Sequence, residues 1–295
     1  MYILFTEVFM IEYIGIDIGG TNIRVGAVDK NNDIVYINRE PTLENVSSSE
    51  ELYRKIKEMI IDVPNYKEAK SIGIGVPGAV RNNRIITARN LIYLKDFPLY
   101  EKLKQDFNKE VYIENDAKVA ALAQALKGVG KNFNKVCYVT LSTGVGGGVV
   151  IDKKIYQGSN NIAGYFSRMI LDGKNVAENL ISGTALVNKA KKKRLDNIKS
   201  SYELFKYSEE NEIASKIVEE FIHDLVVLLL NISITLNPDI IILGGGVMKS
   251  SDYFLGKTKN EFYNLAHSFA KNTKIEKADL EEPGVIGAAM LCLIK

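Results

Sequence analysis

Three stretches carry the residue types that phosphate chemistry needs. The first is Ile14-Gly-Ile-Asp17-Ile-Gly19-Gly20-Thr21-Asn22-Ile-Arg24-Val-Gly26, an apolar strand, a two-glycine turn with Thr and Asn, and a second strand. Glycines at such a turn let backbone N–H groups approach an anion with no Cβ in the way. Asp17, the lone acid of the first run, would be repelled by a bare phosphate, so it makes sense there only with Mg²⁺ between them. An ordinary hairpin explains this stretch alone equally well. A second turn decides between them: Ser142-Thr143-Gly144-Val-Gly146-Gly147-Gly148, again between apolar strands, Val136 to Leu141 and Val149 to Ile151. Two such hairpins, one per half of the chain, can hold a nucleoside triphosphate between two lobes. The third stretch is Asn115-Asp116, at the end of the strand Val111-Tyr-Ile-Glu and the start of a helical run from Ala117 to Lys127, closed by Gly128. Asp is among the best helix caps. The carboxyl end of a strand is also where open α/β sheets place ligands, and Asp116 can do both.

The elements around these stretches follow from local pattern. Ile34 to Asn38 adds a third strand to the first hairpin, making an antiparallel meander. Ser48-Ser-Glu-Glu51 reads as a capping box opening a helix with Leu52, Ile56 and Met59 on one face. Pro98 begins another, with Leu99, Leu103 and Phe107 at helical spacing. A helix from about Asn211 to Leu236 buries Ile213, Ile217, Phe221, Leu225 and Leu228. The strand Asp239 to Leu243 ends in Gly244-Gly245-Gly246, where a planar ring or ribose can lie against backbone. Glu282-Pro283 opens a last helix through Ile294. Gly73-Ile-Gly75-Val-Pro-Gly78 matches the dinucleotide fingerprint by letters, but the chain continues as a turn and strand where that fingerprint needs a helix. Gly256-Lys-Thr258 ends like a Walker A loop, but the required first glycine is Ser251.

The composition bounds the rest. The 295 residues are 46% hydrophobic and 25% charged, enough for two domains with separate cores. A net charge of +2 argues against a nucleic-acid or membrane-surface binder. The basic run Lys189 to Arg194 reads as a solvated helix face. Cys137 and Cys292 lie far apart in apolar runs, as buried free thiols in a reducing cytoplasm would. With His223 and His267 they form no zinc-ligand spacing. Met1 to Phe9 lacks a signal-peptide pattern and reads as an extension ahead of a start at Met10. Val226 to Ile234 is too short to span a membrane and reads as a buried helix segment.

From Ile14 onward the chain resembles the ROK sugar kinases of the actin-like ATPase superfamily. The matching motifs come in order: Asp17-Ile-Gly-Gly-Thr-Asn22, Gly75-Val-Pro-Gly-Ala-Val80, Ala88-Arg-Asn90-Leu, Asn115-Asp116-Ala117, Ser142 to Gly148, Ile162-Ala-Gly164, Glu178 followed by Ser182-Gly183, and Asn237-Pro238 through Gly246. The resemblance implies an α/β, two-lobed actin-like ATPase (ribonuclease-H-like) fold, each lobe a mixed sheet flanked by helices, with a cleft between. The expected boundaries are 1–115 for the N-terminal lobe, with helix 283–295 returning to it, and 116–282 for the C-terminal lobe. It implies transfer of the ATP γ-phosphoryl to a sugar hydroxyl, usually O6 of a hexose, in a cytoplasmic enzyme that is often a homodimer. By this resemblance Asp116 is the general base. Asn90 and Asn115 bond sugar hydroxyls beside the Gly78 backbone, and Glu178 binds near the anomeric end. Gly19, Gly20, Thr21, Asn22, Thr143 and Gly144 hold phosphates, Asp17 holds Mg²⁺ through water, and Gly244, Gly245 and Gly246 face the nucleoside.

The departures from the family pattern are local. The family's Glu-x-Gly-His is replaced by Tyr165-Phe-Ser167-Arg168, with Tyr165 at the Glu position and Arg168 at the His position, and the cysteine loop of its zinc site is missing. No zinc is therefore expected. The reaction end is intact while the C2 end of the sugar site is rebuilt. An aromatic wall from Tyr165 or Phe166 suits a substituted C2, which places N-acetylmannosamine first, with N-acetylglucosamine or glucose next. Arg168 has three open roles: a sugar contact, a pair with Glu178, or solvent. A general hexokinase and a catalytically inactive sugar-binding protein are the alternatives. ROK repressors carry a DNA-binding module before the first glycine turn, and sixteen residues ahead of Asp17 are too few for one.

Overall fold

β1 (Tyr13–Ile18), β2 (Asn22–Val28) and β3 (Ile34–Pro41) form the antiparallel meander. In the computed structural model residues 10–88 and 91–294 are described; Asn90 and the stretch from Met1 to Phe9 lie outside them. β4 (Ser71–Val76) runs parallel to β1, and β7 (Glu110–Asn115) parallel to β4, giving the order β3-β2-β1-β4-β7. Between them β5 (Ala79–Arg81) and β6 (Arg84–Thr87) make a small hairpin at the position where a dinucleotide fold would place a helix. Alternation along β1 sends Ile14, Ile16 and Ile18 to one face, where they join a core with Leu52, Ile56 and Met59 of α1 (Ser49–Ile61). α2 (Leu99–Phe107) and α3 (Asp116–Leu126) complete the run.

A second sheet repeats the plan. β8 (Lys135–Leu141), β9 (Val145–Ile151) and β10 (Lys154–Ile155) form a meander, and β11 (Ile240–Gly244) and β12 (Lys274–Lys277) add in parallel, in the order β10-β9-β8-β11-β12. Its helices are α4 (Ala177–Ile181), α5 (Gly183–Lys192), α6 (Ser201–Tyr207), α7 (Glu212–Leu236) and α8 (Ser251–Leu265). Phe205, Phe221 and Phe254 pack with ring centroids 5.0–5.4 Å apart and tie α6, α7 and α8 together. α9 (Pro283–Ala289) belongs with the first sheet. One compact unit is thus the chain up to Ala123 with Gly158–Asn161 and the part from Leu280; the other is Gln124–Gln157 with Ile162–Asp279.

Several local expectations change in the structure. The Ser48 hydroxyl caps α1 by accepting the Glu51 N–H, but the Glu51 carboxylate accepts from the Ser47 N–H and hydroxyl, so the capping box is only half formed. Ile213 is 43% exposed, and Ala214 takes the buried place in the first turn of α7. The last helix ends at Ala289 and continues as a 3₁₀ turn to Ile294. Among the described residues no helix is long and apolar enough to cross a membrane. Both cysteines are free, and burial pushes the Cys137 thiol up to about 12.

The letters of the rejected dinucleotide fingerprint have a packing cause. A Cβ on Gly73 would sit 1.7 Å from the Ala288 carbonyl oxygen, so α9 lies directly on bare β4 backbone. Gly78 has φ +116°, and a Cβ there would meet the Thr87 carbonyl oxygen at 1.8 Å. Gly73→Ala is expected to destabilise the protein by about 3 kcal/mol or more, because the obstacle is backbone and not a movable side chain. Equilibrium urea unfolding checks this; a loss under about 1 kcal/mol would show that α9 lifts off at little cost.

Candidate active site

The end of β7 passes into α3 through Asn115 and Asp116. The Asn115 Oδ1 accepts the N–H groups of Ala117 (3.1 Å) and Lys118 (3.2 Å), so Asn115 is the side chain that caps the helix. Its Nδ2 donates to the Gly78 carbonyl at 2.9 Å and to the Asp116 Oδ1 at 3.0 Å. Asp116 Oδ1 also accepts the Ala117 N–H at 2.8 Å, while Oδ2 accepts from no other described residue. One oxygen is thus clamped and the other is available. Burial, and then the charge of Asp17, push the Asp116 carboxyl up to about 7, although hydrogen bonds from the Ala117 N–H, its own N–H and Asn115 oppose this.

Asp17 lies on the face of β1 opposite the isoleucine core. It is register-paired with Arg24 on β2 and Gly75 on β4, and Gly75 is paired in turn with Glu114, two residues before Asp116. The two acids therefore stand at the carboxyl ends of parallel strands one strand apart. Arg24 Nη1 donates to Asp17 Oδ2 at 2.9 Å. Arg24 is also cross-strand to Arg39, a pairing of like charges that is unfavourable by itself. Glu282, just ahead of α9, resolves it by bridging both arginines. Burial raises the Asp17 carboxyl, with Arg24 acting against the rise. The neighbouring turn is set by Thr42, whose hydroxyl donates to the Gly19 carbonyl at 2.6 Å and whose N–H donates to the Thr21 carbonyl at 2.8 Å. Gly19 uses its own N–H on the Asn22 carbonyl. Those of Gly20 and Thr21, at the exposed tip, reach no acceptor among the described residues.

In the second unit, Ser142 holds the other turn. Its N–H donates to the Gly144 carbonyl, its carbonyl accepts from Gly183, and its hydroxyl accepts from Gly246 at 3.2 Å. This brings Thr143, Gly144 and Gly246 together, with Thr143 exposed. Gly244 and Gly245 are glycine for packing: Cβ atoms there would strike the Tyr138 hydroxyl and the Leu141 carbonyl. Of the three, only Gly246 faces open space. Glu178 lies against the same turn, with its Oε2 3.4 Å from the Val145 N–H and close under Gly144. Phe166 is 3% exposed inside the second core, packed on Gly147, so it is not available as a sugar wall; Tyr165 is half-buried. Arg168 is exposed and pairs with no carboxylate among the described residues, Glu178 included. Asn90 lies outside the described residues.

Asp17 is the one acid at the first turn, and no group of three or more His, Cys, Asp or Glu among the described residues could hold a metal. One carboxylate with a vacant Oδ1 fits Mg²⁺, which keeps its waters and takes further ligands from phosphates, and does not fit an all-protein cage. The open N–H groups of the two turns fit phosphate oxygens. Nothing in the local sequence ties Thr42 or Glu282 to Asp17 and its turn. Arg24 alone had a local signal, since a four-residue turn after Ile18 pairs position 17 with position 24.

An acid whose folded pKa lies above its unfolded value binds its proton more tightly when folded. Its contribution to stability is therefore lost as pH rises from about 4 through about 7. Without metal or nucleotide, the melting temperature of Asp116→Asn relative to the unsubstituted protein is expected to climb between pH 4 and pH 7 and level off above. A flat difference across that range would show that Asp116 ionises as an ordinary carboxylate.

The comparisons with known proteins agree with this geometry. The chain matches the model of the ROK family over residues 13–295. It is 30% identical to the N-acetylmannosamine kinase of Vibrio cholerae, across 81% of this chain and 85% of that one. It is 26% identical to the glucokinase of Thermotoga maritima, across 95% and 97%. The solved ROK family glucokinase of Streptomyces griseus, in complex with glucose and AMPPNP, superposes with a TM-score of 0.79 at 24% identity, covering 95% of this chain and 98% of that one. With two mixed sheets of one plan, the glycine turns and the strand-end acid, the chain belongs to the ROK family.

Proposed function

We propose that this protein is an ATP-dependent sugar kinase that phosphorylates O6 of an N-acetylhexosamine, with N-acetylmannosamine as the preferred acceptor. The observation that carries the reading is Asp116: a strand-end carboxylate with one oxygen clamped, the other open, and a proton affinity raised to near neutrality. Such a group accepts the sugar hydroxyl proton at Oδ2 as that oxygen attacks phosphorus. Proton removal is not the main barrier in phosphoryl transfer; positioning and charge neutralisation are. Asn115 has both N–H groups engaged, so its part is to orient the base. The N–H groups of Gly20, Thr21, Thr143 and Gly144 would bind phosphate oxygens, and Gly246 would lie beside the nucleoside. Mg²⁺ held through water at Asp17 would neutralise phosphate charge. Asn90 and Glu178 are assigned to sugar hydroxyls by family resemblance.

The choice of acceptor rests on the C2 end. Tyr165 and Arg168 stand where the family's Glu and His contact the sugar, which suits an acetamido group better than a bare hydroxyl. The similarity to the Vibrio cholerae enzyme supports the same choice. The Thermotoga maritima relative favours glucose as the second reading.

A panel of hexoses and N-acetylhexosamines with ATP and Mg²⁺ tests the proposal. Turnover is expected to be highest on N-acetylmannosamine. Equal turnover on glucose would refute the acceptor, and none on any sugar would favour a binding protein. Asp116→Ala is expected to lower kcat by about 10²–10⁴ with sugar affinity changed less than about tenfold. The acid limb of kcat/KM should turn near pH 7, following the raised carboxyl. A limb near pH 4 would remove Asp116 as the base.

A further inference from the structure

Lys118 has no solvent exposure, although it sits in the first turn of α3 only two residues from Asp116. Burying an ammonium is expensive unless its charge and hydrogen bonds are met. Glu114, itself buried at the end of β7, supplies opposite charge nearby. The Lys118 Nζ donates to the Asn161 carbonyl at 2.7 Å. Asn161 is held a second time, because its Nδ2 donates to the Val80 carbonyl at 3.1 Å, and it adopts φ +58°, uncommon for a residue with a side chain. Asn161 ends the segment Gly158–Asn161, which belongs to the first unit, while Gln157 and Ile162 belong to the second. The Ala163 N–H donates to the Gln157 carbonyl at 3.1 Å and closes this segment into a loop. The chain then runs directly into Tyr165, whose N–H is held by the Ile162 carbonyl, and on to Arg168.

A methionine or leucine would fill the same space without an ammonium to desolvate. Beside its charge facing Glu114, the lysine contributes what an apolar side chain cannot, a grip on the Asn161 carbonyl. We infer that Lys118 is a positioning residue for sugar selection: from the helix that begins with Asp116, it fixes the Asn161 carbonyl and so sets where the chain enters the Tyr165–Arg168 stretch. The inference rests on the sugar-kinase reading and assigns selectivity to a residue that touches no substrate. Asn161→Gly gives an independent handle, because glycine keeps the positive φ and the carbonyl that Lys118 holds while deleting the bond to Val80.

The test compares Lys118→Met, Asn161→Gly and the double variant. Each is assayed on N-acetylmannosamine and on mannose, which differ at C2, and by hydrogen–deuterium exchange over residues 157–166. Lys118→Met is expected to change the ratio of the two kcat/KM values about tenfold or more, through sugar KM, with kcat on the better sugar and KM for ATP within about threefold. Asn161→Gly should move the ratio the same way by less, and the double variant should fall short of the sum, because both bonds hold one loop. Exchange should quicken at 157–166 and stay unchanged in β1 and β2. A folded Lys118→Met with an unchanged ratio and unchanged exchange overturns the inference. Should Lys118→Met not fold, an unchanged ratio and exchange in Asn161→Gly overturns it. If the unsubstituted protein turns over no sugar, the kinase reading fails by itself, and the exchange measurement still decides whether Lys118 anchors the loop.

Discussion

The side chain of Asn115 has two acceptor positions and two N–H donors, and all four are engaged. One end caps α3 and the other holds the Gly78 carbonyl and one oxygen of Asp116. A single amide thus fixes the start of a helix, the approach of the β4–β5 turn and the aim of the candidate base. Each bond is worth about 1 kcal/mol to stability. Their greater effect is on geometry, since the acid cannot rotate without breaking the bond from the amide that also caps the helix. Gly78 is drawn into the same arrangement, because no residue with a Cβ could present its carbonyl from that position.

The two sheets share one strand order, yet they differ where chemistry would occur. Asp17 pairs with Arg24 and Gly75; the corresponding Thr140 pairs with Gly146 and Gly244. The skeleton is common, and at these paired strand positions the charge is confined to the first copy. There it forms the row Asp17, Arg24, Arg39 across three strands, closed by Glu282. The second copy instead brings glycines and a serine hydroxyl, which is occupied by the Gly246 N–H. The first turn has its carboxylate on its own strand, and the second receives one, Glu178, from α4.

Much of this could be read in the sequence where the cause is local. Asp17, Asp116 and the two glycine turns were legible because an acid or a glycine run ends an apolar strand, and few other patterns do that. Thr42, Glu282 and Gly284 were not, because they act on Asp17 or its turn from distant parts of the chain; a Cβ on Gly284 would come within 2.6 Å of the Asp17 carboxylate. The sequence offers Phe166 as a wall as readily as Tyr165, since neighbouring aromatics give no sign of which one faces the core. α8 was legible from Phe254, Thr258 and Phe262 at helical spacing, across the letters that end like a Walker A loop. Lys118 carried a readable clue: the helix around it is apolar on every side, which predicts burial for whatever residue stands there.

The placement of α9 has a consequence for biosynthesis. β1 and β4 leave bare backbone for a helix that the ribosome makes only after the entire second unit. At roughly 5–20 residues per second the delay is on the order of ten seconds. Through that interval the nascent first sheet has an uncovered glycine-lined face. The customary order, in which the earlier part of a chain finishes folding first, is lost here: the first unit cannot complete its packing until the end of the chain is made, at nearly the same moment as the second, whose last strand β12 just precedes α9.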